Sequence, residues 1–119
     1  MNDNMALFAA TMLHSATNTH FFHWSTDSYS KHKALGGYYD GIVDLVDDLV
    51  EAYMGCYEQI KSFPSTYHQP KDPVKYLESL KNFVDDARKD LPQETQIQNI
   101  IDEIAQLIDS TLYKLRFLK

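Results

Sequence analysis

The chain has 119 residues, a single cysteine, and 17 acidic against 11 basic side chains, for a net charge of −6. That length makes one domain, residues 1–119, with a core of its own. The acidic balance and the want of a basic tail argue against unaided nucleic-acid binding, which rests on neutralising phosphates, and point to cations as small partners. The lone Cys56 excludes an internal disulfide framework and fits a reducing, cytoplasmic setting. Met5 to Leu13 follows Asn2, Asp3 and Asn4 without the basic flank of a signal peptide, and no stretch is long enough to span a bilayer.

In chain order, the pattern predicts four helices. The first starts at Asp3 or Asn4, either able to cap it, and runs to Trp24 with Leu7, Ala10, Leu13, Thr17, Phe21 and Trp24 as its core face. The polar segment Ser25 to Ser30 ends it. The second runs from Ser30 to Phe63, where Pro64 stops it, with Leu35, Tyr39, Ile42, Val46, Leu49, Tyr53, Tyr57 and Ile60 facing the core. Gly36, Gly37 and Gly41 read as points of close approach by another backbone, or as a local kink.

After a loop with Pro64 and Pro70, Asp72 followed by Pro73 is a strong helix start. The third helix uses Val74, Leu77, Leu80, Phe83, Val84 and Ala87 and breaks at Leu91-Pro92. The fourth, from Thr95, has the cleanest pattern: Ile97, Ile100, Ile101, Ile104, Leu107, Ile108, Leu112, Leu115 and Leu118. Four amphipathic helices with mostly short connections make an all-α, antiparallel four-helix bundle.

The second helix carries the chemistry. Asp40, Asp44, Asp47 and Glu51 are spaced four, three and four residues apart, which on a helix forms one stripe. Asp47 and Glu51 point within roughly 40° of each other and about 140° from the stripe centred on Val46, Leu49 and Tyr53, so they face away from the chain's own core. Such a row is ordinarily a solvated face. Here it follows His20, His23 and His32, and histidine with carboxylate suits a redox-active or hydrolytic transition metal.

His32 and the acid pair cannot share an ion within one chain. The fifteen residues between His32 and Asp47 span about 22 Å of helix, against ligand bonds of about 2 Å. They meet only if a second copy of the helix runs antiparallel across a two-fold axis, giving two equivalent sites. His23, at the end of the first helix, can join His32. No histidine follows His68, so the Glu-x-x-His site of bundle-core di-iron proteins cannot be built.

His23-Trp24, then His32, then Asp47 and Glu51 fifteen and nineteen positions later form a pattern that resembles the Dps mini-ferritins. The resemblance extends to His20 and to the last helix, and implies a ferritin-like bundle that oxidises Fe(II) with peroxide or oxygen. It further implies His23 and His32 as metal ligands from one subunit and Asp47 and Glu51 from its partner. His20 is a weaker candidate ligand, and Trp24 a quencher of oxidising intermediates. The implied cofactor is iron, as a di-iron pair or with another divalent metal in its place. The implied partner is the chain itself, as an antiparallel two-fold dimer or a larger cage.

Three features depart from that pattern. Gly36 stands where the family has an aspartate, leaving Asp40, one turn on, as the replacement; the segment before His32 is three residues shorter; and the middle connection lacks the family's extra helix. A chain this short resembles phage-encoded members, whose setting is the host cytoplasm. Two other readings stand beside it: a helical structural or interaction protein with a degenerate metal site, and a metal-dependent hydrolase using the same ligands.

Overall fold

Asp72 and Pro73 open a helix as their chemistry dictates. The Asp72 carboxylate accepts from the backbone N–H groups of Val74 (3.0 Å) and Lys75 (3.2 Å), and Pro73 brings no N–H to leave unsatisfied. A computed structural model, describing residues 2–119, places this helix, Pro73–Ala87, third of four. The others are α1 (Asn2–Ser25), α2 (Tyr29–Cys56) and α4 (Thr95–Phe117); the third is α3, followed by a 3-10 turn at Arg88–Asp90. No strand occurs among the described residues. Ser28 caps α2, its hydroxyl accepting from the Lys31 N–H (3.3 Å).

Polar ties at the helix ends fix the topology. The Tyr57 hydroxyl donates to the Glu94 carboxylate and Gln96 reaches Cys56, so the end of α2 meets the start of α4. Ser30 bonds the Leu118 carbonyl at the opposite end (3.2 Å). Asn18 donates to the Tyr76 hydroxyl (3.0 Å) while Asn4 reaches the Asp90 carbonyl (3.5 Å), so α1 and α3 are antiparallel too. Hence α2 and α3 run the same way, and the connection 57–72 returns along the length of the bundle. It passes over α1, where the Tyr67 hydroxyl donates to Asn18 (2.7 Å). Met5, Phe8, Met12, Leu35, Ile42, Leu49, Leu77, Ile97, Ile101 and Ile104 are wholly buried between the four helices.

The predicted faces of α3 and α4 hold at their centres, with Leu77, Leu80, Val84, Ile97, Ile101, Ile104 and Ile108 buried; Leu118, past the end of α4, is exposed. The face expected of α1 is wrong. Leu7, Leu13, Phe21 and Trp24 are exposed, and Met5, Phe8, Ala9, Met12, Ser15, Asn18 and Thr19 face inward. Apolar residues lie all round α1, so a 3.6-residue period fits two faces. The buried one includes polar groups that pair locally: Ser15 with the Met12 carbonyl (2.5 Å) and the Tyr38 hydroxyl (2.9 Å), and Thr19 with the Ser15 carbonyl (2.7 Å). Asp3 and Asn4 lie inside the helix and do not cap it.

Three readings of α2 also change. It ends at Cys56 rather than Phe63; the Tyr57 N–H still bonds the Tyr53 carbonyl (2.9 Å), but its backbone has turned out of the helix. Gly55 weakens the last turn, and Tyr57 is held toward Glu94. Tyr38 takes the core position expected of Tyr39. Finally, Gly36 and Gly41 make room for side chains, not for another backbone: a Cβ on Gly36 would sit 3.1 Å from the His23 ring, and one on Gly41 3.1 Å from Leu107.

Candidate metal centre

The turn between α1 and α2 brings His23 and His32 together. Their rings stack with centroids 3.6 Å apart and planes 18° from parallel. Each Nδ1 donates to the other residue's backbone carbonyl: His23 to His32 at 2.5 Å, His32 to His23 at 2.8 Å. A carbonyl can only accept, so both Nδ1 atoms carry the proton. In the neutral ring each Nε2 then keeps its lone pair, the arrangement in which a backbone carbonyl orients a metal-binding histidine.

Gly36 completes this arrangement, because its missing side chain is the space into which the His23 ring fits. His20, one turn back on α1, stacks on Tyr39 (4.0 Å, 13°) and lies 4.3 Å from the ring of Trp24. Tyr39 is therefore a packing partner of the histidine cluster, which its apolar spacing concealed. Trp24 itself is 66% exposed. Behind the cluster, burial pushes the Tyr38 phenol well above its usual range, against a smaller opposite effect from the Ser15 hydrogen bond.

Asp47 and Glu51 lie on the exposed side of α2, one turn apart, as do Asp40 and Asp44. None of them belongs to an ion pair among the described residues; the pairs formed are Lys81–Asp109, Arg88–Asp102, Lys89–Asp86 and Arg116–Glu78. Because α2 is one unbroken helix, His32 and Asp47 are about 22 Å apart in a single chain. Among the described residues of one chain, no three His, Cys, Asp or Glu side chains gather where an ion could be held, so neither Asp40 nor His20 joins His23 and His32. The donor set nonetheless suits a metal: two imidazoles with oriented Nε2 atoms, and two carboxylates in no ion pair among the described residues.

Beside Asp47 the α1/α2 hairpin opens into a groove of about 310 Å³, lined by Ala9, Ala10, Leu13, Val46 and Val50 and roofed by Phe63 and Pro64. It went unseen in the sequence because the stretch to Phe63 reads there as helix. No helix among the described residues is long and apolar enough to cross a membrane.

The chain is similar to the "Uncharacterized 14.6 kDa protein in mobD-ri intergenic region" of Enterobacteria phage T4, with 30% identity over 98 residues, covering 81% of this chain and 75% of that protein. No solved structure matches it. Residues 23–115, from His23 through both histidines, Asp47, Glu51 and most of α4, match the family described as "Family of unknown function (DUF5856)", and the chain belongs to that family.

Proposed function

We propose that this protein binds iron and oxidises Fe(II) at sites shared between two copies of the chain, in the manner of the Dps mini-ferritins it resembles. The observation that carries this reading is the reciprocal bonding of His23 and His32, which orients two imidazoles beside the turn and leaves both Nε2 atoms for a ligand. A two-fold axis that sets a second α2 antiparallel to the first would supply Asp47 and Glu51 from the partner copy. A mixed imidazole and carboxylate set suits such iron better than structural zinc, which favours closed, cysteine-rich sites.

The connectivity supports the same reading, since a bundle with a single long crossover between its second and third helices is the ferritin-like arrangement. In the proposed reaction Fe(II) is the substrate and gives its electron to peroxide or dioxygen. The histidines hold and orient it, and the carboxylates offset the charge of the ferric product.

One observation favours a second reading, a helical structural or interaction protein with a degenerate site. Gly36 stands where the Dps mini-ferritins have an aspartate, and the space beside it is taken by the His23 ring. Aerobic Fe(II) titration followed by stopped-flow absorbance separates the two. Saturable, stoichiometric oxidation that is lost in Asp47→Ala, Glu51→Ala and His32→Ala upholds the ferroxidase. An intact oligomer indifferent to iron leaves only the interaction protein.

A further inference from the structure

The α1/α2 face has two unexplained features: an exposed tryptophan at one end and a largely apolar groove at the other. We infer that they are complementary, and that Trp24 of one copy seats in the groove of a second copy under the Phe63–Pro64 roof. The inference rests on the antiparallel two-fold pairing proposed above and names what that pairing buries.

The charge pattern makes the face self-complementary in one orientation only. No Lys or Arg occurs in α1, and α2 has none after Lys33, so the face offers carboxylates, with the single His14 beside them, toward one end and His20, His23 and His32 toward the other. Parallel copies would set acids against acids. Antiparallel copies set the histidine end of each against Asp47 and Glu51 of the other.

The register follows from pairs visible across the hairpin. His23 faces Gly36, His20 stacks on Tyr39, and Leu13 lines the groove with Val46, so a position on α1 and the one level with it on the antiparallel α2 have numbers of constant sum. By that mapping Trp24 is level with Leu35. Bringing His32 level with the Asp47–Glu51 pair puts the two-fold axis at the height of Asp40 and Gly41, about 8 Å from Leu35 along α2. The rotation carries Trp24 the same distance past the axis, to the level of Val46 in the other copy, which is where the groove opens.

The chemistry at that point suits an indole. The walls are largely apolar, with His14 and Asp47 the two polar side chains among them; 310 Å³ leaves room for one large aromatic side chain, and the Asp47 carboxylate offers an acceptor for the indole N–H. Leu13, 47% exposed at the mouth, and Phe63 would be covered by the same contact. An aromatic anchor in a fitted pocket is the usual centre of a protein interface.

Trp24 is the only tryptophan, so intrinsic fluorescence reports on it alone. The full chain is studied over a range of concentrations by sedimentation velocity, emission maximum and iodide quenching. Seating in the groove gives a dimer whose emission shifts to the blue and whose quenching falls as the dimer forms. Trp24→Ala and Leu13→Lys each raise the dimer dissociation constant at least tenfold, with unchanged helical circular dichroism showing that the fold persists. A dimer whose tryptophan stays as quenchable as in the monomer overturns the seating and leaves the shared metal site standing. A monomer at every concentration overturns both.

Discussion

The imidazole of His23 and that of His32 are each hydrogen-bonded to the other's backbone carbonyl while lying stacked at 3.6 Å. Both rings are therefore Nδ1–H tautomers whenever neutral, and we expect nitrogen-15 NMR of the neutral rings to show two matching tautomers. His23→Ala breaks one bond of the pair and should cost about 1 kcal/mol in denaturant melts, apart from any loss of iron binding. A pair of Nε2–H signals would overturn this account of the turn.

Gly36 and Gly37 are neighbours with opposite expected responses to alanine. Among the described residues nothing lies within 4 Å of a Cβ on Gly37, so Gly37→Ala should gain about 0.5–1 kcal/mol from helix propensity alone. At Gly36 the new methyl meets a ring held by its hydrogen bond and its stack, and overpacking should leave Gly36→Ala less stable than the parent by about 1 kcal/mol. The pair of melting temperatures, one raised and one lowered, is the measurement.

Tyr53 is wholly buried, yet its hydroxyl has no hydrogen-bond partner among the described residues. Burial also raises its phenol pKa, with a smaller push from Glu58. Removing an unsatisfied hydroxyl and keeping the ring relieves a desolvation cost on the order of 1 kcal/mol. Tyr53→Phe should therefore melt at or above the parent temperature, whereas Tyr38→Phe, which loses the bond to Ser15, should melt below it.

Alkaline stability follows from the same phenols. Burial raises Tyr38 and Tyr76 above the ordinary 10.0, so the folded chain keeps protons that the unfolded chain releases. Their contribution is intact below pH 10 and is lost as pH rises from there through the folded values, at about 1.4 kcal/mol per pH unit for each group. Urea midpoints should stay level to about pH 10 and then fall. Tyr38→Phe should make that fall shallower.

Residues that act locally were legible in the sequence. Asp72 and Pro73 start α3 where their chemistry says, and α4 buries Ile97, Ile101, Ile104 and Ile108 as its period selects, with Ile100 partly buried. Two placements were legible as well: His23 and His32 do meet at the turn, and Asp47 and Glu51 do share an exposed face. What failed was anything decided by a neighbour. α1 has two apolar faces, and only the hydroxyls of Ser15 and Thr19, satisfied inside the bundle, show which one is buried. Tyr38 is core because Ser15 meets it and Tyr39 is not because His20 does, a choice invisible in spacing. The end of α2 depends on a bond to Glu94, 37 residues away from Tyr57.

The crossover carries a consequence of another kind. Residues 61–69 are all exposed and outside regular structure, which makes them the natural place for a protease to cut. Severed there, the molecule becomes two pieces of two helices each, with matching apolar sides, and separately produced halves should recombine. Every donor atom discussed for iron rides on the first piece; the second lends it nothing but a wall to lean on.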